Sequence, residues 1–202
     1  MLRPIILAVI LSMSLCAYGT DKTILVLGDS LSAAYGIDAQ SGWVSLLRER
    51  LDRAGYRYRV INASISGDTT HGANTRLDAI LKEITPDITI VELGGNDGLR
   101  GIPPAEIKTN LTAIIEKTAT AGSRILLAEM LLPPNYGTAY IEKFVALYRD
   151  LGARDDVILS NFILADIADN PDLMQSDGIH PRAEAQAMML ENLWPDLYPL
   201  LD

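Results

Sequence analysis

The chain has 202 residues and a mass of 22.0 kDa, with 49% hydrophobic and 21% charged residues. This length and composition are those of one globular domain with a substantial core, and they argue against disordered and fibrous proteins. The formal net charge of −9 argues against nucleic acid and anionic membrane surfaces as partners, because both repel an acidic protein.

The first nineteen residues have the pattern of an export signal. Arg3 supplies the positive charge, residues 5–15 form an apolar core, and residues 17–19 form a small-x-small cleavage site. The apolar core is too short to span a bilayer as a helix. We therefore expect a signal peptide over residues 1–19, cleaved near Gly19.

This segment has other interpretations, namely a buried first helix, a membrane anchor, or lipid attachment at Cys16. Lipid attachment is a minority alternative to cleavage near Gly19, because Leu15 is bulkier than the small residue that usually precedes a lipidated cysteine. Cleavage after Gly19 would remove the only cysteine of the chain. We expect a single mature domain over residues 20–202, periplasmic or secreted in a bacterium, with no stable membrane span.

Beyond residue 20, apolar strand-like runs alternate with stretches whose apolar residues recur at the helical spacing of three and four. The strand candidates are residues 23–27, 58–62, 88–93, 125–130 and 157–159. The helical candidates are residues 43–51, 77–84, 107–115, 141–151 and about 182–197. This alternation predicts an α/β fold, a three-layer α/β/α sandwich with a parallel sheet and right-handed crossovers.

Polar, glycine-rich and proline-rich segments follow four of the strand candidates. They are residues 28–30, 63–70, 94–101 and 132–137. Because the carboxyl ends of parallel strands meet at one edge of a sheet, these four loops are expected to line one crevice.

Ser30, directly after the first strand, is a candidate nucleophile, and small and polar residues that can open a helix follow it. A nucleophilic serine needs a base, an acid that orients the base, and donors for the oxyanion. His180 and Asp177, three residues apart, can supply the base and the acid. The backbone amides of Ser30 and Gly67 and the side chain of Asn96 can supply the donors.

Each of these fragments also has a plainer interpretation. Asp29 or Ser30 could cap a helix that begins after the first strand. Asp177 and His180 could form a capped turn or half of a metal site, but zinc takes three or four ligands and His71 is the only other histidine. These residues therefore argue against a zinc site.

The motifs together resemble those of the SGNH, or GDSL, hydrolases. The matching blocks are Gly-Asp-Ser-Leu-Ser at 28–32, Asn-Ala-Ser-Ile-Ser-Gly-Asp-Thr at 62–69, Gly-Gly-Asn-Asp at 94–97 and Asp-Gly-Ile-His-Pro at 177–181. Residues 91–101 and 132–137 are similar to loops of the bacterial periplasmic subgroup of acyl-CoA thioesterase I, protease I, lysophospholipase L1 and the arylesterases. The resemblance runs from about residue 23 to residue 194.

The resemblance implies a flavodoxin-like sheet of five parallel strands in the order 2-1-3-4-5 and no metal, and we expect no cofactor. It implies a serine esterase that hydrolyses esters and thioesters, with a triad of Ser30, His180 and Asp177 and an oxyanion hole of Ser30, Gly67 and Asn96. The expected partner is a small ester, thioester or lysolipid substrate, and the expected state is a monomer without bound nucleic acid.

Contacts to the substrate are expected from the loops after the third and fourth strands, at Asp97, Leu99, Leu132, Pro133 and Tyr136. These residues could instead serve only the packing of the loops. Two other functions stay open, a carbohydrate acetyl esterase of the same family and a flavodoxin-like module that binds a ligand without catalysis. The chain has no glycine-rich phosphate-binding motif to support the second.

Overall fold

The computed structural model describes residues 22–201. The expected signal peptide, its cleavage site and Cys16 lie outside these residues. Five parallel strands form one sheet in the order β2-β1-β3-β4-β5, which confirms the expected fold. The strands are β1 (Lys22–Gly28), β2 (Tyr58–Asn62), β3 (Ile88–Glu92), β4 (Arg124–Ala128) and β5 (Val157–Ser160).

Helices cover both faces of the sheet. They are α1 (Trp43–Arg53), α2 (Thr70–Glu83), α3 (Gly95–Leu99), α4 (Pro104–Thr120), α5 (Thr138–Gly152) and α6 (Gln186–Leu197). On one side α4 packs between α2 and α5, and on the other α1 packs against α6. No helix within residues 22–201 is long and apolar enough to cross a bilayer.

Strand β1 lies inside the sheet, between β2 and β3, and is buried on both faces. Its residues 24–27 are Ile, Leu, Val and Leu, and all four have no exposed surface. Such a continuous apolar run is typical of a strand covered on both sides by helices, and each buried side chain contributes roughly 1.5–3 kcal/mol. The strand is thus a rigid support for the polar residues that follow Gly28.

No helix begins directly after Ser30, so the alternative in which Asp29 or Ser30 caps such a helix does not hold. Residues 30–36 form successive turns, and the first α-helix begins only at Trp43. The Tyr35 N–H donates to the Ser30 carbonyl, and Ala34 adopts a left-handed conformation with φ 57°. That conformation interrupts a right-handed helical path, so the segment curls back beside the strand end.

Two further differences concern the other loops. The segment expected as a loop at 94–101 contains the short helix α3. The last helix is shorter than expected, since a 3₁₀ turn at Ala183–Ala185 precedes α6.

Candidate active site

Ser30 lies two residues beyond β1, at the carboxyl edge of the sheet. Its Oγ is 2.9 Å from Nε2 of His180, and Nδ1 of the same ring is 2.7 Å from Oδ2 of Asp177. A carboxylate can only accept, so Nδ1 carries the ring proton and Nε2 is left to accept from the Ser30 hydroxyl. The structure thus joins the three side chains selected from the sequence, although 150 positions separate Ser30 from His180.

The turn that carries Asp177 and His180 is held by the carboxylate itself. Oδ1 of Asp177 accepts the backbone N–H groups of Ile179 and His180, both at 3.0 Å. The hydrogen bond from the His180 ring and, to a smaller extent, these two backbone bonds lower the pKa of Asp177 to about 2. The carboxylate is therefore ionised across the neutral range and fixes the orientation of the imidazole ring.

Asp29, the residue before Ser30, is hydrogen-bonded to Asn96. Its side chain is buried, with Oδ1 accepting from the Leu31 N–H at 3.1 Å and Oδ2 accepting from Nδ2 of Asn96 at 2.9 Å. An amide nitrogen has two hydrogens, so this bond orients the Asn96 amide and leaves its second N–H for a ligand. Asp29 thereby acts on the site through Asn96 rather than as the acid beside the histidine.

Glu92 is a second buried acid at this edge, and the sequence analysis did not select it. It is the last residue of β3, has no exposed surface, and its Oε2 accepts from the Ser32 hydroxyl at 2.6 Å and the Asp29 N–H at 3.4 Å. A Cβ at Gly28 would overlap both Ser32 and Glu92, which explains the glycine at the end of β1. The sequence contained one indication of a special role for Glu92, because an acid at the end of a buried apolar strand is unusual.

Burial sets the protonation of these two carboxyl groups. It raises the pKa of Glu92 well above its ordinary value, and the nearby Asp29 carboxylate raises it further. Burial likewise raises the pKa of Asp29 to about 6, against the opposing hydrogen bonds from Leu31 and Asn96. The pair therefore carries less negative charge than two exposed carboxylates would.

Replacing Glu92 with glutamine is expected to favour the folded state more strongly as the pH rises. A carboxyl group whose pKa is higher in the folded protein contributes stability below its unfolded pKa, about 4.3 for glutamate, and loses that contribution as the pH rises through the folded pKa. Glutamine has no such loss. The difference in Tm between Glu92→Gln and wild type should become more positive between about pH 5 and about pH 8.

Thermal melts across this range, with the exposed Glu83→Gln as the control, test the Glu92 prediction. A difference that stays constant with pH, or that falls, would contradict the raised pKa of Glu92.

Gly67 lies in the loop between β2 and α2 and has φ 79°, a conformation that favours glycine. Its carbonyl accepts from a guanidinium N–H of Arg100 at 2.9 Å. Arg100 follows directly after α3, the helix that carries Asn96. The structure therefore joins the segment of Gly67 to the segment of Asn96.

The expected substrate loops contact each other. The Tyr136 hydroxyl donates to the Leu99 carbonyl at 3.0 Å, and a Cβ at Gly98 would overlap the side chain of Leu132. Leu132 is largely buried and Pro133 is exposed. The structure thus brings Leu99, Leu132 and Tyr136 to the place where the two loops meet.

Asp97 differs from the other four residues. It has no exposed surface, and its two carboxylate oxygens accept from the hydroxyl and the N–H of Thr70, at 2.6 and 2.9 Å. Thr70 is the first residue of α2, where a carboxylate also interacts favourably with the helix dipole. The Asp97 side chain therefore joins α2 to α3 through these two hydrogen bonds.

Candidate metal ligands do not cluster in the part of the chain that the structure describes. Residues 22–201 contain no group of three or more His, Cys, Asp and Glu side chains that could hold a metal ion. His71 is exposed on α2.

A five-stranded parallel sheet covered by helices, with a hydroxyl, an imidazole and a carboxylate hydrogen-bonded at its carboxyl edge, defines an α/β protein of the hydrolase class. Residues 26–188 match the model of the GDSL-like lipase/acylhydrolase family. The chain belongs to this family, which confirms the resemblance in its motifs, and it is a carboxylic ester hydrolase.

The chain is similar over most of its length to named esterases. It is 49% identical to "Esterase TesA" of Pseudomonas aeruginosa over 180 residues, which are 89% of this chain and 90% of that protein. It is 41% identical to "Thioesterase 1/protease 1/lysophospholipase L1" of Escherichia coli (strain K12), over 89% of this chain and 85% of that one. The crystal structure of the psychrotrophic esterase EstA from Pseudoalteromonas sp., inhibited by monoethylphosphonate, matches with a TM-score of 0.85 and 42% identity, over 89% of this chain and 98% of EstA.

Proposed function

We propose that the chain is a serine esterase that hydrolyses carboxylic esters and thioesters through an acyl-enzyme on Ser30. The observation that carries the proposal is the hydrogen-bonded chain from the Ser30 Oγ through the His180 ring to Asp177, at 2.9 and 2.7 Å. Hydrolysis of thioesters and lysolipids is supported by the names of the relatives, one of which is called a thioesterase and lysophospholipase.

In the first half of the reaction, Ser30 Oγ attacks the acyl carbonyl carbon and His180 Nε2 takes the hydroxyl proton. The ionised Asp177 stabilises the resulting imidazolium. The bond to the alcohol or thiol then breaks, and that leaving group receives the proton from Nε2. In the second half, water attacks the acyl-enzyme, His180 takes a proton from it, and Ser30 recovers the proton as the acid leaves.

The charge that develops on the carbonyl oxygen needs preorganised donors. We assign this role to the backbone N–H groups of Ser30 and Gly67 and to Nδ2 of Asn96. The support for Asn96 is the bond from its amide to Asp29, which holds the donor in place before substrate arrives. Fixed donors of this kind require little reorganisation in the transition state.

We further propose that the protein acts as a monomer outside the cytoplasm, after removal of residues 1–19. The support for the location and for the removal of residues 1–19 is the export pattern of those residues.

A panel of substrates tests the proposed function. The purified protein is assayed with short-chain and long-chain aryl esters, an acyl-CoA, a lysophospholipid and an acetylated sugar, and Ser30→Ala is the blank for each. Turnover of the simple esters and the thioester that is lost in Ser30→Ala is the expected result. Activity confined to the acetylated sugar would assign carbohydrate deacetylation instead, and the absence of turnover that depends on Ser30 would favour a binding module.

Replacing Leu132 with alanine is expected to shift the acyl-chain preference toward longer chains. The Leu132 side chain fills the space against Gly98, so its truncation opens room beside the loop after β3. The measurement is kcat/KM for aryl esters of increasing acyl length. The matched control is Leu81→Ala, in a partly buried position near the carboxyl end of α2. An unchanged acyl-length profile in Leu132→Ala would refute the assignment of Leu132 to the acyl-chain site.

A further inference from the structure

Gln175 contacts the backbone of two segments that flank the site. Its side-chain Nε2 donates to the carbonyl oxygen of Tyr35 at 2.8 Å and to that of Pro181 at 3.0 Å. Its backbone N–H donates to the carbonyl of His180 at 2.7 Å. Because both partners of the side-chain amide are carbonyl oxygens, only the nitrogen can face them, and the orientation of the amide is fixed.

One of these segments carries the nucleophile. The Tyr35 N–H donates to the carbonyl of Ser30 at 3.1 Å, so the turn that Gln175 contacts closes directly on Ser30. The Tyr35 ring also lies against the His180 ring, with 4.4 Å between centroids. A shift of the Tyr35 turn would therefore move both reacting groups.

The other segment carries the base. Pro181 follows His180 and pairs with Met174 in an isolated antiparallel bridge. Nε of Arg182 donates to the Met174 carbonyl at 2.6 Å, which closes the same loop from its other side. Gln175 sits inside this loop, next to the bridge.

Gly36 provides the space for the amide. It has φ 75°, and a Cβ at this position would overlap the side-chain amide of Gln175. Hence both the conformation and the close approach explain a glycine here.

We propose that Gln175 is a positioning residue. It fixes the turn of residues 30–35, which carries Ser30, relative to the loop of residues 174–182, which carries His180. This inference rests on the proposed function, since it concerns the alignment of Ser30 Oγ with His180 Nε2. Gln175 touches neither of these atoms and acts through the backbone on either side of them. A misplacement of about 1 Å between reacting groups can cost about 10²-fold in rate.

The test uses two substitutions that remove the donors in different ways. Gln175→Met keeps the length of the side chain without polar atoms, and Gln175→Glu places acceptors against two carbonyl oxygens. For both variants kcat for a short-chain aryl ester should fall by about 10- to 100-fold while KM changes by less than about threefold. The rate at which a fluorophosphonate inactivates the enzyme should fall by a similar factor, because that reaction also needs the aligned Ser30–His180 pair.

Gln40→Glu, at an exposed position, is the matched control for the change of charge and should keep wild-type rates. Thermal melts show whether each variant is folded at the assay temperature. In a His180→Ala background, substitution of Gln175 should cause no further loss, because the group that it positions is gone.

An unchanged kcat in folded Gln175→Met would overturn the positioning role. So would a loss of kcat in the His180→Ala background as large as the loss that the same Gln175 substitution causes in the wild type. If Gln175→Met does not fold, the same criteria apply to Gln175→Glu. A wild-type protein without turnover that depends on Ser30 would instead defeat the proposed function, so the two failures are distinguishable.

Discussion

Alanine in place of Ser30 or His180 is expected to lower ester turnover by about 10⁴- to 10⁶-fold. Removal of Ser30 removes the atom that forms the acyl bond, and removal of His180 removes the group that accepts the hydroxyl proton. The two act as one unit through the 2.9 Å contact between them, so the double variant should lose little more than either single variant. Steady-state kcat with a short-chain aryl ester is the measurement.

Thermal melts would establish that the Ser30 and His180 variants are folded, and Ser41→Ala, outside the site, is the control for loss of a hydroxyl. Residual activity above that of water is expected from the remaining oxyanion donors. Ester turnover that survives unchanged in Ser30→Ala would sink the assignment of the nucleophile. Full additivity of the two losses would show that the residues do not act together.

Asn96→Ala is expected to lower kcat by about 10²- to 10³-fold with a smaller effect on KM. The Asn96 donor stabilises charge that exists only in the transition state, so its removal affects the chemical step more than substrate binding. Asn96→Asp, which keeps the shape of the side chain but loses its N–H donors and adds a charge beside Asp29, should be at least as slow. Both variants are compared with wild type under saturating substrate.

The exposed Asn170→Ala is the control for Asn96→Ala. If Asn96→Ala raised KM and left kcat unchanged, the side chain would be a substrate contact rather than an oxyanion donor. The hydrogen bond from Asn96 to Asp29 would then serve only the folding of the two loops.

The fold could be predicted from the sequence because burial on both faces leaves a clear pattern. The run at residues 24–27 has no polar residue, and runs of this kind alternate along the chain with stretches that have helical spacing. Alternation of such runs admits few topologies. The shorter last helix and the small helix α3 were not predicted, because element ends depend on local hydrogen bonds that periodicity does not report.

The site could be predicted as far as residue chemistry allows. Ser30, Asp177 and His180 have side chains whose combination suggests one reaction, and the structure brings them into hydrogen-bonding distance. Glu92 and Gln175 could not be found in this way. An acid and an amide have many uses, and their importance here comes from partners far away in the sequence and, for Glu92, also from burial.

Asp97 illustrates the same limit from the other side. It neighbours Asn96 in the motif, and proximity in sequence suggested a contact with substrate. The structure instead turns its side chain toward the first residue of α2. There the N–H and hydroxyl of Thr70 donate to the two carboxylate oxygens of Asp97. A one-residue step along a short helix turns a side chain by about 100°, which separates the two neighbours.

Labelling with a fluorophosphonate, followed by peptide mass spectrometry, tests the central claim that Ser30 is the nucleophile. We expect one adduct per chain, on Ser30, with labelling abolished in Ser30→Ala and strongly slowed in His180→Ala. An adduct on a different residue, or equal labelling of Ser30→Ala and the wild type, would contradict the account.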